Sequence, residues 1–165
     1  IGARAVPLER EAIAWCRLSP RGGAAWAIAK WATAAVMAIP LQLAASGAVF
    51  LGLRPAPAEM LRMVGVPLVA LLLALAVGVW FGARFGDPAW TNPRAMMRLS
   101  GRLLAMPAFL AQGVLWVGGY LLPLVRGSGE FPLAAFGVAV ALAAAILGIS
   151  LRLAAKQIPR ITLQE

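Results

Sequence analysis

Apolar residues dominate four long blocks of the chain, and polar and charged residues gather between them. The blocks fall at about 31–53, 61–83, 103–125 and 131–153. Each has the ~20 residues that an α-helix needs to cross ~30 Å of hydrocarbon. All six acidic residues, Glu9, Glu11, Glu59, Asp87, Glu130 and Glu165, lie outside the blocks. The pattern predicts an all-α integral membrane protein with four transmembrane helices.

The first 25 residues read differently. Over Leu8–Leu18, the residues Leu8, Ala12, Trp15 and Leu18 approximate one helical face, while Glu9, Arg10 and Arg17 point elsewhere. This predicts a short amphipathic cytoplasmic helix, ended by Ser19-Pro20 and Gly22-Gly23. It suits either the membrane surface or a protein partner. Residues 26–154 then form the transmembrane domain, and 155–165 a polar, basic cytoplasmic tail.

Details within the blocks sharpen the picture. Pro40, Pro67 and Pro107 are candidate kinks, because proline removes a helical N–H. Membrane helices tolerate this where a neighbour covers the freed carbonyl. Trp26 and Trp31 stand where interfacial anchors are expected. The fourth block is rich in Ala and Gly, which allows helices to approach closely. Gln42, Ser46, Gln112 and Tyr120 are polar side chains at membrane depth, available to a polar ligand or to hydrogen bonds between helices.

Composition agrees with the pattern. Hydrophobic residues make up 62% of the chain, against roughly 45–50% in soluble proteins. The net charge of +9 would suit nucleic acid, but the basic residues flank apolar blocks instead of lining a soluble face. They are also asymmetric. Twelve lie in the N-terminal flank, the loop between the second and third blocks, and the tail. Three, Arg54, Arg62 and Arg126, lie on the other side. The positive-inside rule therefore places both termini in the cytoplasm, as for a multi-pass protein of a prokaryotic inner membrane. Arg94, Arg98 and Arg102 recur every four residues, one helical stripe that suits lipid phosphates or a protein. The sequence opens on Ile1, so the expectation is that the true N-terminus lies upstream.

Reactive groups are scarce. The chain has no histidine and one cysteine, Cys16, so neither a zinc site nor a disulfide is expected. No Gly-rich loop ends in Lys-Ser/Thr to cradle a nucleotide. No carboxylate sits at membrane depth, where a proton-coupled transporter needs one. The chain is not expected to be an enzyme, and any energy source resides in a partner. Only Glu59 and Asp87 lie near an interface where a lipid-modifying enzyme would need its carboxylates.

Two segments resemble the permease subunits of ABC-2-type exporters, specifically their C-terminal part. One is EREAIAWCRLSPRGGAAWAIAK, residues 9–30, with Glu9, Glu11, Trp15, Ser19, Pro20, Arg21 and Lys30 as the matching positions. The other is FGARFGDPAWTNPRAMMRLSG, residues 81–101, with Phe85, Asp87, Trp90, Asn92, Pro93 and Arg94. A complete permease half has about six spans, so four suggest a fragment or a small separate subunit. The resemblance implies a permease component of an ATP-driven export system, paired with a second permease unit or the remainder of the permease. A separate ATP-binding subunit, carrying ATP and Mg, would dock on Glu9, Glu11, Trp15, Arg17, Pro20, Arg21, Asp87, Asn92 and Arg94. The competing expectation is a structural or accessory subunit of a respiratory or photosynthetic membrane complex.

Overall fold

The computed structural model describes residues 2–4, 6–7, 22–53, 57–87, 90, 96–118 and 133–158. The amphipathic helix expected over Leu8–Leu18 lies outside these residues. The described chain is helical. A 3-10 turn, Gly2–Arg4, comes first. Four α-helices follow: α1 Gly22–Leu53, α2 Pro57–Phe85, α3 Leu99–Trp116 and α4 Leu133–Gln157.

Among the described residues, three stretches are long and apolar enough to cross a membrane: Gly22–Gly52, Arg62–Phe85 and Ala134–Gln157. The 24 residues of the second extend about 36 Å, ample for ~30 Å of hydrocarbon. The expected span at 103–125 is different. Helix α3 has 18 residues, or about 27 Å, and carries Arg102 in its first turn and Gln112 near its middle. The rest of that expected span, from residue 119, lies outside the described residues. Among the described residues, three of the four expected spans are thus shown as helices long and apolar enough for a membrane.

The helix starts also differ from the pattern. Helix α1 begins at Gly22, nine residues before the expected span at Trp31. Gly22 takes φ +61°, which glycine reaches without a Cβ clash, so Gly22-Gly23 opens α1. Helix α2 starts at Pro57, where a missing N–H removes no helical bond, and Glu59 in its first turn complements the helix dipole. The three prolines sit inside α1, α2 and α3, and each helix continues through its proline.

Helix α2 is the hub. It packs on α1, α3, α4 and the N-terminal turn, and α1 also packs on α4. Small residues make this closeness possible. Ala27, Ala34, Ala35 and Ala38 form the buried stripe of α1, and Ala143, Ser150 and Ala154 that of α4. Trp31 lies within α1 and donates its Nε1–H to the Leu72 carbonyl of α2 at 3.0 Å.

Prolines and polar side chains meet between α1 and α2. Pro67 has no N–H, so the Met63 carbonyl one turn earlier loses its helical donor. Ser46 of α1 supplies a substitute, its Oγ donating to Met63 O at 3.4 Å. Gln42 Nε2 in turn donates to Ser46 Oγ at 3.2 Å. Two turns further along α2, Gln112 Nε2 of α3 donates to Ala70 O at 2.7 Å. Ser46 and Gln112 thus tie helices together. Tyr120 lies outside the described residues.

Candidate functional site

The end of the bundle where α2 finishes is built around three glycines. Gly78, Gly82 and Gly86 recur every four residues, so they share one face of α2 and its exit. The N-terminal segment lies against that face. A Cβ at Gly82 would fall 2.6 Å from the Ala3 carbonyl oxygen, and one at Gly78 would fall 3.0 Å from the Ala3 nitrogen. The fit is reciprocal, since a Cβ at Gly2 would fall 2.7 Å from Leu75 O. A neighbouring backbone approaches so closely only where a Cβ is missing, which is the reason for glycine here.

Around this crossing sits a tight apolar cluster. Val6, Ala27, Val79, Ala83, Ala154 and Ile158 come from the N-terminal segment, α1, α2 and the end of α4. Ala27, Val79 and Ala154 are fully excluded from solvent. Trp26, Trp31 and Trp80 pack against them. Lys30 holds its ammonium 5.4 Å from the Trp26 ring centroid, a cation–π contact at the rim.

The connection from α2 to α3 closes the same end. Gly86 and Met97 form an antiparallel bridge. Asp87 N–H donates to Met96 O at 2.9 Å, and Arg98 N–H donates to Phe85 O at 2.9 Å. Gly101 of α3 lies so close to Phe85 that a Cβ there would collide with it. Trp90 Nε1–H donates to Pro7 O at 2.9 Å, which pins the N-terminal segment to this connection.

Of the residues expected to dock a partner, Asp87 is described, half-buried beside the Gly86–Met97 bridge. Glu9, Glu11, Trp15, Arg17, Pro20, Arg21, Asn92 and Arg94 lie outside the described residues. Their described flanks do come together: Pro7 before the first segment and Ala27 within it adjoin the residues around Phe85 and Trp90 of the second. Comparison with family models, curated proteins and solved structures finds no match. The likeness to ABC-2-type permeases therefore rests on the two segments themselves.

Two features escaped the pattern reading. The glycine face was visible as Gly78-xxx-Gly82-xxx-Gly86, a spacing that marks close helix crossings. Arg62, counted there as a flanking charge, is buried, with 5% of its surface exposed.

The opposite half of the bundle holds an apolar cleft of about 660 Å³ between α2, α3 and α4. Leu73, Ala108, Leu115, Ala139 and Ile146 line it, with Gln112 as its polar side chain and Trp116 at one wall. Gln112 is already bonded to Ala70 O, so the cleft suits hydrocarbon better than a polar solute. Among the described residues, no group of three His, Cys, Asp or Glu side chains is placed to hold a metal ion.

Proposed function

We propose that the chain is a transmembrane permease component of an ATP-driven export system and works with a separate ATP-binding subunit. The observation that carries this reading is that the described flanks of its two telltale segments meet at one end of the bundle. The Trp90–Pro7 hydrogen bond and the packing of Ala3 on Gly78 and Gly82 link the N-terminal segment to the α2–α3 connection. A partner gripping both segments would push directly on the end of α2, the helix that touches every other element. ATP and Mg belong to that partner, and this chain performs no catalysis of its own.

The charge asymmetry supports a cytoplasmic placement of this end and of both termini. Arg4, Lys30, Arg84, Arg98, Arg102, Arg152 and Lys156 all flank it. A second permease unit, or the remainder of a longer permease, would complete the substrate path.

One observation favours a second reading, an accessory subunit of a larger membrane complex. The polar side chains at membrane depth, Ser46 and Gln112, make hydrogen bonds between helices, and the cleft is lined by apolar groups. The two readings separate on purification of the full chain in mild detergent from its native membranes. A stoichiometric ATP-binding subunit, identified by mass spectrometry, is the expected outcome. Redox subunits without an ATPase would overturn the exporter reading and favour the accessory one.

A further inference from the structure

Three arginines flank the point where α2 hands over to α3. Arg84 stands in the last turn of α2, its guanidinium 6.0 Å from the Phe85 ring centroid. The Arg98 backbone is brought beside Phe85, the neighbour of Arg84, because its N–H bonds Phe85 O. Arg102 follows one helical turn later, its Nε donating to Met97 O at 2.9 Å, which fixes the guanidinium over the bridge. All three side chains are exposed.

An apolar stripe begins at the same place. Leu99, Leu103, Met106, Leu110 and Val114 are 69%, 65%, 67%, 60% and 70% exposed. They recur at helical spacing and so run as one band along the outer face of α3. Arg102 is a close helical neighbour of both Leu99 and Met106. The surface thus joins a cationic head to a long hydrocarbon-facing strip; α3 holds no acidic residue, and Asp87 beside the bridge sets one half-buried carboxylate against three guanidinium groups.

We propose that this corner binds an anionic phospholipid, its phosphate held by Arg84, Arg98 and Arg102 and one acyl chain lying along the α3 stripe. The combination selects the ligand. A soluble acidic partner would satisfy the arginines and leave the stripe uncovered. Free phosphate would not use the stripe at all. A zwitterionic lipid would use the stripe but set its own cation against three guanidinium groups. A phospholipid with net negative charge matches both halves, and arginine forks suit phosphate oxygens.

The test is native mass spectrometry of the full chain in detergent, titrated with phosphatidylglycerol or with phosphatidylcholine of identical acyl chains. Each basic residue near an anionic headgroup contributes enough that about a tenfold or greater preference for phosphatidylglycerol is expected. The variant Arg84→Gln/Arg98→Gln/Arg102→Gln should reduce that preference to about twofold or less. Arg152→Gln/Lys156→Gln, which removes the same kind of charge from α4, should keep it. Triple replacement by lysine should retain most of it and confirms that the corner still folds. If the glutamine triple loses its helical circular dichroism, the three single variants replace it, each expected to cut the preference about threefold. Glycerol phosphate, which has the head without the tails, should fail to displace phosphatidylglycerol. Equal binding of the two lipids by the natural sequence would overturn the proposal. So would an undiminished preference in the folded glutamine variants, or displacement by glycerol phosphate or inorganic phosphate at equal concentration, which would mark an anion site indifferent to lipid.

Discussion

The two halves of this bundle hold together in different ways. Where α2 ends, four stretches of chain meet with almost no space between them, and the N-terminal segment touches bare backbone at Gly78 and Gly82. Toward the other half, α3 packs chiefly on α2, and a cleft of about 660 Å³ separates it from α4. In α3, Gly101, Ala105 and Trp116 are buried, whereas Leu103, Leu110 and Leu115 are well exposed. The hydrophobic effect cannot explain the contrast, because lipid is as apolar as leucine and does not drive apolar faces together. Shape must, since hydrogen bonds such as that of Gln112 to Ala70 O join helices in the open half as well. The close half has small residues at each crossing and backbone partners for Trp90 and Arg98; the open half has large side chains facing outward.

The largest effect should follow from disturbing the close half. Gly82→Val places branched carbons where the Ala3 carbonyl now lies, 2.6 Å from the position of any Cβ. The neighbour is backbone and cannot rotate away. Overpacking of this kind costs typically 1–3 kcal/mol, and here the N-terminal segment should detach from α2. The measurement is thermal unfolding in detergent, together with protease access to the bonds around Ala3. If the variant melts with the natural protein and its N-terminal segment stays protected, the glycine face is not what seats that segment.

A smaller effect should appear at the α1–α2 contact, and it has a built-in control. Ser46→Ala removes the donor to Met63 O, a carbonyl that lacks its helical partner only because residue 67 is proline. Hydrogen bonds between membrane helices average about 0.6 kcal/mol, so a loss near that size is expected. In a Pro67→Ala background the N–H of residue 67 returns, and Ser46→Ala should then cost clearly less. Equal costs in the two backgrounds would show that Ser46 does not serve the carbonyl freed by Pro67.

Much of this architecture was legible in the pattern of residues, and the exceptions are instructive. The apolar blocks place α1, α2 and α4 well, because length and apolarity are what a bilayer demands. Ser46 and Gln112 stood out as polar residues in apolar surroundings, and both bond to a neighbouring helix. Helix starts were less legible: α1 opens at Gly22 because a glycine at positive φ can turn the chain there, a property no apolar count contains. The seating of Gly2–Pro7 was invisible, since a short segment without period reveals nothing until its receiving face is known. That face was itself written in the sequence, as three glycines four residues apart. Most of the proposed docking residues fall outside the described chain, so of that set the fold places Asp87 beside the α2–α3 bridge.

The smallest effect should come from the open half, and its smallness is the point. Ala111 is exposed on α3 and lines the cleft. Replacing it with leucine adds three carbons, as drastic a change in bulk as valine for Gly82. In a close-packed interior that would force its neighbours off their rotamers. Here the added carbons enter space already suited to hydrocarbon, and they gain dispersion contacts without losing any apolar burial. Leucine also favours helix nearly as well as alanine. The melting transition of Ala111→Leu should therefore stay within about 0.5 kcal/mol of the natural chain, as for other sites away from packed features. A loss of the size expected at Gly82 would mean that the cleft is filled in the working protein, and the two halves would then be packed alike.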